Sequence, residues 1–221
     1  MTGPGGDLLG AGPRPAPVTF VTTEHFTLQG ARAATIAEST GRATMFLSAV
    51  SGGLVALGLI ATATRAGTAF YAFGLVILPT LAFVGVVTFE RTLQSGIEDH
   101  GYGRRIARLR AYYFDYAPEL TSYLLSVQPR DRLAIQGLKG GWWQGYRTVA
   151  GMIAVITAVL TGSAAGLIAA VASGYSLAVA LAAGASAGII TLAVLMRYQQ
   201  ETWQREGNAH LHAFDEPSRP T

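Results

Sequence analysis

Long apolar runs alternate with polar segments along the chain, and four of the runs are long enough for membrane-spanning helices. The longest apolar stretch, 148–196, contains no Asp, Glu, Lys, Arg or His across forty-nine residues. Its main polar interruption is Ser173-Gly174-Tyr175-Ser176, near the middle. Because a helix needs about 20 apolar residues to cross the hydrocarbon core of a bilayer, this stretch predicts two spans, 149–172 and 177–196, joined by a tight turn.

A second pair of spans lies nearer the N-terminus. Arg42 and Arg65 bracket the twenty-two uncharged residues 43–64, which form the first predicted span, and residues 69–89 form the second. Pro79 lies in the middle of the second span, where neighbouring helices can compensate for its missing backbone donor. We expect a static kink at this proline, with a gating hinge as the alternative.

The remaining segments are polar. Residues 1–19 are rich in Gly and Pro and lack periodicity, which predicts a disordered tail. Residues 20–42 are predicted to form a helix that leads into the first span, and residues 90–147 a helical segment that breaks at 101–103, where two glycines flank a tyrosine. Residues 197–221 form a C-terminal tail.

The distribution of basic residues predicts the orientation. Fifteen of the 16 basic residues lie before the first span, in 90–147 or after the fourth span, and the two opposite turns hold only Arg65. By the positive-inside rule both termini and 90–147 face the cytoplasm. The predicted fold is therefore all-α: a multi-pass cell-membrane protein with two transmembrane hairpins, 43–89 and 148–196, and a cytoplasmic helical segment between them.

Aromatic residues lie at the predicted membrane boundaries. Trp and Tyr are enriched there because one end of each ring is apolar and the other polar. The predicted interfacial anchors are Phe70, Tyr71, Trp142, Trp143, Tyr146 and Trp203.

The composition excludes several classes of function. Half of the residues are hydrophobic and 13% are charged, too few to coat a soluble globular surface. No cysteine is present, and no catalytic triad, metal motif or phosphate loop occurs, so we expect a non-enzymatic protein without cofactor or metal. Glu98, Asp99 and His100 are the one cluster that a lipid-modifying enzyme could use. The spans lack ionisable residues, which argues against a proton-driven transporter or a voltage sensor.

Two GxxxG motifs indicate close helix packing. They consist of Gly162 with Gly166 and Gly184 with Gly188, in the third and fourth spans. Small residues at this spacing let two helix backbones approach each other. The motifs serve either packing within one chain or assembly of a homo-oligomer, and the sequence leaves both readings open.

The densest charge cluster has four arginines within seven residues: Arg104, Arg105, Arg108 and Arg110. At helical spacing the first three share one face, while Ile106, Leu109 and Tyr113 share another. This pattern predicts an amphipathic basic helix on the anionic inner leaflet, in contact with lipid headgroups. The alternatives are a flank paired with nearby acids, another anionic ligand and a cytoplasmic protein partner. Six acidic residues share 90–147, so nucleic acid is not expected.

Two stretches resemble uncharacterised integral membrane proteins of GC-rich bacteria. They are 24–38, which leads into a span, and Arg105-Ile106-Ala107-Arg108-Leu109-Arg110-Ala111-Tyr112-Tyr113 with Pro118-Glu119-Leu120. The likeness covers about 22–147 and implies the same topology but no activity. A looser, architectural similarity to small membrane effectors of bacterial conflict systems implies membrane perforation by a hairpin.

Together these patterns predict a non-enzymatic membrane protein that associates with itself through small-residue faces. Its arginine-rich helix would contact lipid headgroups or a partner. The alternative function is an oligomeric channel or pore-forming effector, gated by 90–147.

Overall fold

The structure, a computed structural model, describes residues 15–116 and 148–215, and nearly all of them are helical. The four helices are α1 (Pro15–Thr64), α2 (Thr68–Tyr116), α3 (Val149–Ala172) and α4 (Leu177–Asp215). Each contains a window that is long and apolar enough to span a membrane. The all-helical prediction with four candidate spans is therefore confirmed for the described residues, in which no strand occurs.

The helices pack in a row rather than in a closed bundle. Helix α2 packs against both α1 and α3, and α3 in turn packs against α4, while α1–α3 and α2–α4 contacts are slight. The two inner helices therefore bury 39% and 44% of their most apolar windows, against 17% in α1 and 11% in α4. The outer helices leave broad apolar faces uncovered.

Helix α1 ends because two residues leave the right-handed helical conformation. Arg65 and Ala66 have φ values of 49° and 54°. The Ala66 amide donates a hydrogen bond to the Ala61 carbonyl (2.8 Å) and the Gly67 amide donates to the Thr64 carbonyl (2.9 Å), which satisfies carbonyls left free at the helix end. The chain then reverses directly into α2.

Both hairpin turns lie at the same end of the molecule. The second turn also uses left-handed residues, Gly174 with φ 66° and Tyr175 with φ 70°. The Tyr175 ring lies 5.0 Å from the ring of Tyr71, near the first turn. The two hairpins therefore run in the same sense, and 15–42, 90–116 and the end of α4 extend from the opposite end.

Two helix boundaries differ from the sequence prediction. Helix α1 begins at Pro15, so residues 15–19 are helical rather than part of a tail. Proline is tolerated in a first turn because its missing N–H has no intrahelical partner there. Helix α2 runs without a break through 101–103 to Tyr116, because interior glycines lower helix stability by only about 1 kcal/mol each. The expectations for 1–14 and 117–147 lie outside the described residues.

The core is tightest where α1, α2 and α3 meet. A Cβ added at Gly85 of α2 would collide with the Thr157 hydroxyl on α3 and would lie 3.0 Å from the Phe46 ring on α1. Phe46 and Thr157 are among the most deeply buried side chains. Gly74, three turns earlier, lies in the same way between Leu57 and Leu167. These two glycines allow α2 to approach both neighbours.

The second hairpin is held by direct backbone contact between its GxxxG motifs. A Cβ at Gly162 would lie 2.6 Å from the Gly184 carbonyl oxygen, and one at Gly184 would lie 2.9 Å from the Gly162 carbonyl oxygen. The same holds one turn away, where a Cβ at Gly166 would lie 3.0 Å from the Ala180 carbonyl oxygen. All four motif glycines, Gly188 included, therefore face the partner helix of the same chain.

We expect Gly162→Ala to destabilise the second hairpin by about 1–3 kcal/mol, because the new methyl group meets a backbone carbonyl that cannot rotate away. The measurement is the free energy of unfolding in detergent. Gly58→Ala on α1 is the matched control, since a Cβ there meets nothing within 4 Å. Equal stabilities of the two variants would contradict the close packing of α3 on α4.

Candidate functional site

Beyond the candidate spans, α1 and α2 continue as a pair of antiparallel helices that we call the stalk, residues 15–42 and 90–116. At a rise of 1.5 Å per residue, the part of α2 after Phe89 is about 40 Å long. The stalk contains most of the charged residues that the structure describes. Among the described residues, the stalk therefore offers the most ionisable side chains for binding or catalysis.

A two-point ion pair joins the helices in the lower half of the stalk. The Arg32 guanidinium donates to both carboxylate oxygens of Asp99, over 2.6 Å from Nε and 3.2 Å from Nη2. The side chains are 34% and 28% exposed, so solvent screens the pair only in part. The hydrogen bond from Arg32 to Asp99 raises the pKa of the guanidinium.

Nearer its tip, the stalk is held by a few small contacts. Leu28 of α1 and Ile106 of α2 are buried. The Tyr113 hydroxyl donates to the Thr22 hydroxyl over 3.3 Å. Tyr113 also meets the His25 ring edge to face, with ring centres 6.0 Å apart. This short apolar seam aligns the two helices without a large core.

His25 is a polar residue within that apolar seam. Its Nε2 accepts from the Gln29 side-chain amide over 2.7 Å. Its Nδ1 is buried and has no hydrogen-bond partner among the described residues. Burial, and secondly the positive charge of Arg110, lower the pKa of the imidazole. The paired stalk therefore favours neutral His25.

Helix α4 supports the base of the stalk. The Trp203 ring lies edge to face with His100, with ring centres 5.6 Å apart, and also packs beside Gly96 of α2. One turn below, Gln199 is buried and donates a 3.4 Å hydrogen bond to the Thr148 hydroxyl, which also caps α3. Trp203 therefore ties α4 to α2, and Gln199 ties α4 to the start of α3.

The four predicted arginines do not act as one group. Arg105 and Arg108 are exposed and Arg104 is half-buried. Arg110 lies close enough to His25 to lower its pKa, which places its charge on the α1 side. The apolar face of this helix contains Ile106 and packs against α1. That face is therefore not available to enter a lipid surface.

Other predicted site residues are dispersed. Pro79 is exposed and α2 continues through it. The rings of Phe70 and Tyr71 lie edge to face near the turns (5.3 Å between ring centres), whereas Trp203 lies at the opposite end. Trp142, Trp143 and Tyr146 lie outside the described residues.

The helix directs the three side chains of the possible acid–base cluster away from one another. Asp99 binds Arg32 and His100 contacts Trp203, while Glu98 is exposed on a third side. Within 15–116 and 148–215, no group of three or more acidic or histidine residues could hold a metal ion. The three neighbours in sequence do not form one site.

Sequence reasoning missed the residues that align the first hairpin. Gly74 and Gly85 are eleven residues apart, a spacing that returns to the same helix face after three turns. That spacing was a usable signal outside the GxxxG pattern. Arg32 and Asp99 carried no comparable signal, because they are 67 residues apart and their pairing depends on the hairpin register.

Over residues 15–116 and 148–215, the fold and the site together define two helical hairpins apolar enough to span a membrane and a charged two-helix stalk. Comparison of the chain with protein-family models, curated proteins and solved structures finds no match. The resemblance to membrane proteins of GC-rich bacteria therefore supplies no activity.

In a double-mutant cycle, we expect Arg32→Met and Asp99→Asn to show a coupling energy of about 1–2 kcal/mol, because their pair is charge-assisted and partly shielded. The readout is hydrogen exchange of stalk amides in nanodiscs. Arg42 and Glu38 are the control, since this exposed pair on a single helix should couple by no more than about 0.5 kcal/mol. Equal coupling in the two pairs would argue against a clamp between α1 and α2.

We expect the stalk to loosen in acid. Because pairing lowers the pKa of His25, the paired helices bind fewer protons than the separated ones. The contribution of neutral His25 is complete above about pH 6.5, the ordinary histidine value, and is lost as the pH falls through the lowered pKa. The protection of amides near Thr22 and Tyr113, corrected for the pH dependence of intrinsic exchange, should therefore fall in acid, and His25→Gln should reduce that fall. An unchanged acid response in this variant would refute the assignment.

Proposed function

We propose that this chain is a non-enzymatic, multi-pass membrane protein that associates with itself and displays the stalk in the cytoplasm. The observation that carries self-association is an uncovered ridge of small residues on the membrane-spanning part of α1. Membrane insertion, orientation and assembly have separate support.

Membrane insertion is supported by the outer surface of the helices. Leu59, Phe83 and Ile189 expose 67%, 68% and 69% of their surfaces. Side chains of this size, together with a few small hydroxyls, suit contact with lipid rather than water. The Thr80 and Ser186 hydroxyls donate to carbonyls one turn back in their own helices, so they need no outside partner.

The orientation is supported by the common direction of the hairpins. Because both turns lie at one end, the difference in the number of basic residues between the two ends predicts the orientation of both hairpins together. Arg65 is the only basic residue in the two turns, whereas the stalk and the regions outside the spans hold the other fifteen basic residues. The stalk end therefore faces the cytoplasm.

Self-association is supported by a row of small, exposed residues on α1. Thr44, Ser48 and Gly52 recur at every fourth position, and all three are exposed. A Cβ at Gly52 would meet nothing within 4 Å. A small-residue ridge of this kind allows two membrane helices to approach closely. The GxxxG motifs are less suitable, because their glycines already contact each other within the chain.

Helix α4 presents a comparable outer ridge, Ala178, Ala182 and Ser186, but without a glycine. A backbone can approach less closely there, so we assign the interface to α1. A pore is a weaker proposal, since Phe46, Phe89 and Ile153 fill the space between the helices of one chain. Any aqueous path would have to lie between copies.

The test is the mass of the purified protein in mild detergent. We expect the unaltered chain to form a defined oligomer and Ser48→Leu/Gly52→Leu to be monomeric, because leucine holds the ridges apart. Ala182→Leu/Ser186→Leu is the matched control on α4 and should stay oligomeric. A monomeric unaltered chain would refute self-association. If only the two α4 substitutions caused dissociation, the interface would lie on α4 and its assignment to α1 would be wrong.

A further inference from the structure

In the stalk, the face of α2 that contains Ile106 packs against α1. Three arginines on the opposite face therefore point away from α1. Ile106 is buried in the pair of helices. Arg104, Arg105 and Arg108 lie within about 100° of arc on the other side, since successive residues are 100° apart. We call these three residues the arginine strip. Arg105 and Arg108 are exposed and Arg104 is half-buried, so the strip lies at the surface of the stalk.

The strip lies too far along the stalk to contact the headgroups of its own membrane. Arg104 is fifteen residues beyond Phe89, a distance of about 22 Å along the helix. Even at a tilt of about 40° this height is about 17 Å, whereas the headgroup layer is about 5–8 Å thick on each side. This height favours contact with a ligand beyond the membrane surface over the headgroup contact that the sequence predicts.

The shape of the strip favours an extended ligand. Its guanidinium groups project from the convex surface of a helix and span five residues, or about 6 Å of axial rise. A small anion needs a concave site with convergent donors. A helix that carries carboxylates one turn apart can instead meet Arg104 and Arg108 together. The shape therefore selects another helix over a free phosphate or nucleotide.

The charge and composition favour an acidic protein. No carboxylate in 15–116 or 148–215 forms an ion pair with Arg104 or Arg105. Tyr112 is 37% exposed one turn beyond Arg108. Arginine and tyrosine are the residues that most often dominate protein interfaces. A second copy of the stalk would bring like charges together, and a strip of three cations offers few contacts to nucleic acid.

We propose that the arginine strip binds an acidic helix of a cytoplasmic partner protein, with carboxylates spaced by one helical turn. The inference depends on the membrane insertion and orientation in the proposed function, but not on self-association. The stalk then works as a spacer that holds this docking surface beyond the membrane headgroups.

The test uses the full chain in phosphatidylcholine nanodiscs and a fluorescent synthetic helix with glutamate at every fourth position. We expect saturable binding by fluorescence anisotropy that weakens about tenfold in Arg105→Gln/Arg108→Gln. Arg91→Gln/Arg197→Gln removes the same charge from exposed positions near the spans and should leave binding unchanged. Hydrogen exchange of the stalk should be equal in both variants, which separates lost contacts from lost structure.

Several outcomes would overturn the inference. They are absence of peptide binding, equal weakening by the two variants, and tighter strip-dependent binding of phosphatidylserine vesicles or single-stranded RNA. The proposed function fails in other ways. A chain that does not enter nanodiscs contradicts membrane insertion, and a monomer that still binds the peptide contradicts self-association alone.

Discussion

The antiparallel register of α1 and α2 is the constraint on which the rest of the structure depends. The turn at Arg65–Gly67 starts the register, and contacts recur at matching distances from it: Gly53 meets Leu81, Arg32 meets Asp99, and Tyr113 meets Thr22. A shift by one residue would place the Phe46 ring against a side chain of α2 instead of against Gly85, where there is no room for even a Cβ. Packing within the spans therefore fixes which polar groups meet in the stalk. The stalk needs few contacts because its register is already set.

Helix α2 is central because small residues let it serve two neighbours at once. Gly74 and Gly85 face the places where α1 and α3 converge. With α1 and α3 both packed on α2, α4 packs mainly on α3 and meets α2 near its end, at Trp203. The row leaves α1 and α4 with outer faces that no other helix within 15–116 and 148–215 covers. Contact with lipid and contact with another copy are therefore competing uses of the same surface.

The all-helical class and the four candidate spans could be predicted because charged residues are excluded from long segments, a signal that needs no knowledge of contacts. Which glycines meet could not be predicted. GxxxG shows that a backbone can approach, but not which backbone does so, and Gly162 has the same neighbours in sequence under either arrangement. The break expected at 101–103 was wrong because propensity is local, whereas α2 also gains from packing on α1. The face containing Ile106 could suit lipid or protein, and only the register assigns it to α1.

The stalk is less strongly held than the spans to which it is joined. Its distal half relies on Leu28, Ile106 and a few polar contacts, whereas the spans share a continuous apolar core. Regions with few buried contacts open first, at a free energy below that of global unfolding. The arginine strip lies on this weaker half, and α1 is the partner that holds α2 in place there. A ligand that binds only the paired form must stabilise it by mass action. Binding at the strip and the pairing of α1 with α2 near His25 are therefore thermodynamically linked, even though the strip and the histidine lie on opposite sides of α2.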